Sequence, residues 1–295
     1  LNGIPLDLLI LPTNVKMSTE IVDKKDKLFY CDTQYPVLLV SGMGLKDHHK
    51  LYNYWGNIPD VLKEYGAAAF TAKQFAFTSH YDNAMALKYR TFEVLEKTKK
   101  DKLNIIAHSK GGIEARYMIS NLDMGDHVAS LTTLGTPHRG TPLADIVVGK
   151  IPVGQFVLAR LVNIYARVMG DSDPDSLRAT LGVTSEGMAQ FNREVLDHPN
   201  VYYQSYAGHV NKEHSNMLLK TLATILYRFS GKNDGIVPIE SAKWGDYKGI
   251  ITDENCPSVS HADMVGVTRF FGGTSKFNHQ LFFVKLVHEL KEMGF

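Results

Sequence analysis

An apolar run that ends in a serine set between small residues, and then turns helical, is the feature that most limits what this chain can fold into. Leu103-Asn104-Ile105-Ile106 leads into Ala107-His108-Ser109-Lys110-Gly111-Gly112, and beyond it apolar residues recur at helical spacing at Ile113, Tyr117, Met118 and Leu122. A strand that feeds a helix through so short a turn needs small residues two before and two after the serine, here Ala107 and Gly111. The turn lifts Ser109 clear of the sheet, so its Oγ can meet a substrate and a histidine. The N–H of Lys110, in the first helical turn, then points where an oxyanion would form. Ala107 stands where the general G-x-S-x-G pattern has glycine, so the pentapeptide alone is compatible with a tight turn carrying an idle serine. Strand, small residues, serine and helix in that order argue for a nucleophile elbow.

A chain of 295 residues holds one large α/β domain or two small ones, with a substantial core. With 44% hydrophobic and 21% charged residues it has the make-up of an ordinary globular protein. No apolar run approaches the roughly 20 residues of a bilayer span. Lys and Arg number 32 against 31 Asp and Glu, so there is no electrostatic footprint for nucleic acid, and none is expected as a partner. Cys31 and Cys256 are compatible with one disulfide or with two free thiols. The chain opens at Leu1 with neither an initiator Met nor a basic-apolar leader, and a secreted or extracytoplasmic location is the expectation. Nothing in the sequence sets the oligomeric state.

Taken in order, residues 1–35 are expected to form an N-terminal extension. Residues 36–295 follow as one catalytic domain, with a cap insertion at about 142–198. Val37 to Val40 is a short apolar run of the kind buried on both faces of a parallel sheet, and it runs into Ser41-Gly42-Met43-Gly44. Glycines there allow close backbone approach, and the N–H of Met43 is the natural second oxyanion donor, the alternative being an ordinary strand-ending turn. Helices are expected at 54–65, 83–99, 185–196, 215–229 and 276–291. In the second of these Ala84, Leu87, Phe92 and Leu95 should face inward. Strands are expected at 67–71, 128–134, 201–206 and 250–251. This alternation argues for a mostly parallel sheet with helices on both faces and a site at the strands' carboxyl ends. From Pro142 to Gly170 the apolar residues are too many for one buried stripe, which suggests a helical cap over the site; a helix packed between two elements is the alternative.

A serine hydroxyl attacks only when a histidine takes its proton, and that histidine needs an acid to hold its tautomer. Ser109, Asp234 and His261 occur in the chain order Ser, acid, His. Asp234 sits in the turn Asn233-Asp234-Gly235 before an apolar pair, and His261 in a loop beyond the last expected strand. Of the twelve histidines, His288 falls on the terminal helix, and His108 within the elbow should face away from the pocket.

With these pieces in place the chain resembles the bacterial lipases and carboxylesterases of the α/β-hydrolase superfamily, including the thermoalkalophilic subgroup. The likeness is carried by Tyr54-Trp55-Gly56, Ile105 to Gly112, Thr132 to Gly140, Asn233 to Val237 and His261 to Val267. It implies an α/β-hydrolase fold with Ser109 as nucleophile, Asp234 as acid and His261 as base, and with Met43 and Lys110 as oxyanion donors. The expected activity is hydrolysis of acylglycerols or related small-molecule esters through an acyl-enzyme, with transient contact at a lipid interface. An acyltransferase or thioesterase on the same triad, or a non-catalytic lipid-binding module, is the alternative. Departures from the family pattern are visible. Ser41-Gly42 replaces the usual His-Gly, Lys110 adds a cation beside the site, and the subgroup's zinc insert has no counterpart between Trp55 and Ser109. The resemblance also implies a structural calcium near the catalytic histidine. Asp263 matches one ligand position, but no carboxylate stands at the second and Thr268 occupies a place where an acid would help. No metal and no cofactor are therefore expected.

Overall fold

The computed structural model describes residues 24–42, 54–72, 80–152, 154, 179–214, 216–254, 256–271 and 273–295. Met43, the expected extension before residue 24 and most of the apolar stretch assigned to the cap lie outside the described residues.

Three of the apolar runs, β1 (Val37–Val40), β3 (Leu103–His108) and β4 (Val128–Leu134), are buried at every position, as central parallel strands must be. With β2 (Ala69–Thr71), β5 (Tyr202–Ala207) and β6 (Asp246–Ile250) they form one six-stranded sheet in the order β2-β1-β3-β4-β5-β6. Every pairing is parallel. The chain steps from β1 to one edge and then returns to build the other side, so the order reverses between β1 and β3. That switch point opens a crevice at the carboxyl ends of the two strands, where Gly42 and Ser109 lie.

Strand alternation assigns the two faces. Val37, Leu39 and Ile106 share one cluster with α2 (Ile58–Glu64), α7 (Met217–Ser230) and α9 (His279–Glu292), while Leu38, Val40, Ile105 and Ala107 share the other with α3 (His80–Thr98) and α4 (Lys110–Asn121). Helix starts follow local chemistry. Asn216 Oδ1 accepts from the N–H groups of Leu218 and Leu219 to cap α7, and Thr184 Oγ1 accepts from Gly187 N–H to cap α6 (Ser185–Glu194). Three further short helices are α1 (Lys24–Tyr30), α5 (Pro142–Val147) and α8 (Ile239–Ala242). Helix α1 is tied to α9, where His288 stacks on Tyr30 at 3.8 Å and its Nδ1 lies 2.7 Å from the Tyr30 carbonyl.

Some expectations need correcting. Phe92 is 42% exposed and Thr91 is buried, because α3 meets α4 through Asn83, Leu87, Thr91 and Val94. The last strand is Asp246–Ile250 rather than 250–251. It is an edge strand with Asp246, Lys248 and Ile250 exposed, and its polar residues hid it. Cys31 and Cys256 are both free, the former buried with its thiol donating to the Val284 carbonyl at 3.3 Å. Burial pushes the Cys31 thiol up to about 12, so it packs as an inert apolar group.

Candidate active site

Strand β3 ends at His108 and α4 begins at Lys110, leaving Ser109 as the whole of the turn. Its backbone has φ 55° and ψ −132°, a conformation costing on the order of 1–3 kcal/mol for a residue with a side chain. The surroundings fix it. Ser109 N–H donates to the Leu134 carbonyl at 2.9 Å, and its own carbonyl accepts from Gly112 N–H at 3.1 Å and Thr136 Oγ1 at 2.8 Å. The chain leaving β1 presses on the serine, since a Cβ at Gly42 would stand 2.7 Å from Ser109 Cβ.

Gly111 shows why the residue two past the serine must be small. A Cβ there would lie 2.4 Å from the Ser41 carbonyl oxygen and 2.9 Å from that of Val40, both backbone atoms that cannot swing aside. Gly111→Ala would gain about 1 kcal/mol of helix propensity. Overpacking against fixed backbone costs about 1–3 kcal/mol. The expected result of thermal unfolding is a lower midpoint for G111A, with ester hydrolysis reduced even where the variant is folded, because the β1 loop must retreat from Ser109.

Asp234 and His261 are brought together. His261 Nδ1–H donates to Asp234 Oδ2 at 2.8 Å, and both side chains are almost fully buried. The other carboxylate oxygen of Asp234 accepts from the N–H groups of Ile236 at 2.9 Å and Val237 at 2.7 Å. A backbone rung adds to this, with His261 N–H donating to the Asp234 carbonyl at 3.0 Å. One strand, β6, separates the two residues in sequence as expected. Gly135, directly after β4 with φ 55°, leaves room for the pair, since a Cβ there would stand 3.0 Å from Asp234 Oδ2 and 3.1 Å from His261 Nδ1. In the sequence, the signal for this role of Gly135 is its place directly after a strand.

His108 does not face away from the pocket. Its ring lies 4.5 Å from that of His261, between centroids, and its Nδ1 is 2.5 Å from Tyr54 Oη. Burial first, and the neighbouring His261 second, push its pKa well below the ordinary histidine value, so it sits beside His261 as an uncharged ring. The cation expected from Lys110 is also neutralised. Its ammonium meets Glu114 one helical turn on, and Glu114 accepts from Asn83 Nδ2 at 2.8 Å, all three residues being buried. The backbone of Lys110 keeps the first position of α4.

Asp263, two residues past His261, is where the resemblance places a calcium ligand, and its surroundings do not suit that ion. Oδ2 accepts from Ser260 N–H at 2.8 Å, Ser260 Oγ at 2.6 Å and His214 Nε2 at 2.8 Å, and Oδ1 accepts from Thr268 Oγ1 at 2.6 Å. Burial alone would raise its pKa, but the hydrogen bonds from His214, Ser260 and Thr268 outweigh it and hold the carboxyl at about 2. A hard cation requires six to eight oxygen ligands, whereas here protein donors already take up the carboxylate and an imidazole faces it. Among the described residues no group of three or more His, Cys, Asp or Glu side chains is arranged to hold a metal.

Comparison with known proteins bears on the whole of this region. The family model for palmitoyl protein thioesterase matches residues 36–267. The chain is 29% identical over 259 residues to triacylglycerol lipase 2 of Saccharomyces cerevisiae, covering 82% of this chain and 74% of that one. It is 34% identical over 177 residues to a triacylglycerol lipase of Pseudarthrobacter phenanthrenivorans, covering 56% of this chain and 54% of that one. The matched part is thus about half the length of the bacterial relative. In three dimensions it is similar to a Bacillus licheniformis lipase in mature form, with a TM-score of 0.63 at 21% identity over 86% of this chain and 91% of that one. A metagenomic carboxyl esterase gives a TM-score of 0.67 at 16% identity, over 88% and 76% of the two chains.

Proposed function

From the premise that this chain belongs to the palmitoyl protein thioesterase family and is a serine ester hydrolase of α/β-hydrolase fold, we propose that it hydrolyses acylglycerols or related esters through a Ser109–His261–Asp234 triad. The observation that carries the reading is the buried hydrogen bond from His261 to Asp234, in a site at the carboxyl end of the sheet that also holds the strained turn of Ser109. Asp234 fixes His261 with its proton on Nδ1, which leaves Nε2 bare to accept the proton of Ser109 Oγ. Oγ then attacks the acyl carbonyl carbon. The carbonyl oxygen takes up the negative charge, and the N–H of Lys110 supplies one donor to it, with that of Met43 as the second. Collapse breaks the bond to the alcohol, which leaves with the proton from His261, and the acyl group stays on Ser109. Water repeats the sequence, giving up its proton to His261, and the acid departs as Ser109 recovers its hydrogen.

The choice of oxygen esters over thioesters follows the names of the curated relatives; a second reading, cleavage of acyl thioesters by the same triad, follows the name of the family model. Both involve the same acyl-enzyme and differ in the leaving group. Steady-state hydrolysis of a butyrate ester, an emulsified long-chain triglyceride and a palmitoyl thioester separates them. The expected result is cleavage of both oxygen esters with a higher kcat/KM than the thioester. Cleavage of the thioester alone would overturn the proposal in favour of the second reading, and cleavage of none would withdraw both.

A further inference from the structure

The base of the proposed triad sits on a loop, and loops move unless something holds them. His261 lies between Ser260 and Asp263, and both are locked into one buried hydrogen-bonded knot. Asp263 is the centre of that knot and is only 1% exposed. Ser260 and Thr268 close the loop on itself from either side of His261, through Asp263 Oδ2 and Oδ1 respectively.

Among the described residues, the donor to Asp263 from a distant part of the chain is His214, in the segment between β5 and α7. Its tautomer follows from its other partner. Asn216 N–H donates to His214 Nδ1 at 3.1 Å, so that nitrogen is bare and the proton sits on Nε2, aimed at Asp263. Asn216 in turn caps α7, the helix that leads into the turn bearing Asp234. Besides the side-chain bond between Asp234 and His261, the acid loop and the base loop are joined by the backbone rung between the same two residues and by the path from α7 through Asn216 and His214 to Asp263.

We infer that His214 and Asp263 are positioning residues for His261, and that their direct hydrogen bond anchors the catalytic loop in the place where the resemblance would put a calcium ion. This inference rests on the reading of His261 as the base. A buried imidazole N–H on a buried carboxylate needs no bound cation, because the carboxylate's acceptor sites are taken up by protein donors. Loss of the His214 contact would leave the Ser260 and Thr268 bonds and the contacts of His261 with Asp234 in place, but would remove the tie between Asp263 and the segment before α7 and so let His261 shift relative to Ser109. Misplacement of a catalytic group by about 1 Å costs up to about 100-fold in rate.

The test uses wild type, His214→Ala, and His214→Gln, whose amide N–H reaches about as far as Nε2. Labelling to completion with a fluorophosphonate counts active sites, so that kcat is expressed per competent enzyme and not per folded fraction. For His214→Ala, kcat on a butyrate ester should fall roughly 10- to 100-fold with KM little changed, and His214→Gln should recover most of it. Wild-type kcat should be the same in EDTA as in calcium chloride. Amide hydrogen exchange across residues 258–268, which needs no turnover, should speed up in His214→Ala and return towards wild type in His214→Gln. If His214→Ala does not fold, Thr268→Val removes one bond from the same knot and is read in the same way, with a smaller fall. Wild-type kcat and exchange in the variants, or a wild-type enzyme that loses activity in EDTA and regains it with calcium, would overturn the inference. A wild-type enzyme that neither takes the label nor cleaves the ester would instead overturn the reading of His261 as base, and the exchange measurement still decides whether His214 anchors the loop.

Discussion

Ser109→Ala is expected to lower kcat for a soluble butyrate ester by about 10⁶-fold while leaving the fold intact. The hydroxyl is the atom that bonds to the acyl carbon, and nothing else at the turn can take its place; the residual rate over water would come from the oxyanion donors and substrate binding alone. Stability moves separately from activity here. Alanine keeps a Cβ in the same backbone conformation, at φ 55°, so Ser109→Ala should unfold near the wild-type midpoint. Ser109→Gly should be equally inactive and yet unfold at a higher temperature, because glycine adopts this conformation without the steric cost. Rate assays and thermal melts on the three proteins check both halves. An alanine variant with a rate comparable to wild type would remove Ser109 from the mechanism, and a glycine variant that melts lower would show that the turn stores no strain.

How much of this was legible in the sequence depended on how local the cause was. Strands β1, β3 and β4 are buried from end to end, β1 wholly apolar and β3 and β4 rich in apolar residues, so their limits can be read directly. The elbow was legible for the same reason, since its geometry is enforced by neighbours one and two residues away. Strand β6 was not, because an edge strand with one solvated face carries no apolar run, and Asp246-Tyr247-Lys248 resembles a loop. Helix faces were read with an error of about one position. Phe92 turned outward because α3 packs on α4, and no pattern within α3 reveals where α4 will lie. The pairing of Asp234 with His261 is legible from chain order together with the Asn233-Asp234-Gly235 turn, the loop position of His261 and the resemblance. The His214–Asp263 bond was not, although both residues could be seen; what was missing was the fold that brings together segments separated by α7, α8 and β6. The placement of His108 is non-local in the same way, since the His261 loop brings the two rings to 4.5 Å and nothing in the elbow's own sequence reveals that loop.

Asp234→Asn is expected to lower kcat by about 10⁴-fold with little change in melting temperature, and the reason lies in which oxygen does what. Asp234 Oδ1 accepts two backbone N–H groups, from Ile236 and Val237, and Oδ2 accepts the proton of His261 Nδ1. An asparagine has one oxygen to offer. Placed at Oδ1 it satisfies both backbone donors, whereas the flipped amide would set its own N–H₂ against two N–H groups in a buried site, at a cost of about 1–3 kcal/mol for each donor left unpaired. The amide nitrogen must therefore face His261, and it donates where the carboxylate accepted. His261 Nδ1 then has to be bare, its proton moves to Nε2, and the nitrogen that should receive the proton of Ser109 already carries one. The fold keeps its hydrogen bonds and the base is lost. Asp234→Ala should behave differently, because it strands the N–H groups of Ile236 and Val237 as well as His261, and it should lose both activity and melting temperature. Fluorophosphonate labelling provides the independent check, since that reaction also needs an activated Ser109: its rate constant should fall in Asp234→Asn in parallel with kcat. A variant that labels and turns over near the wild-type rate would mean that the Asp234–His261 hydrogen bond is structural, and that the proton of Ser109 leaves by another route.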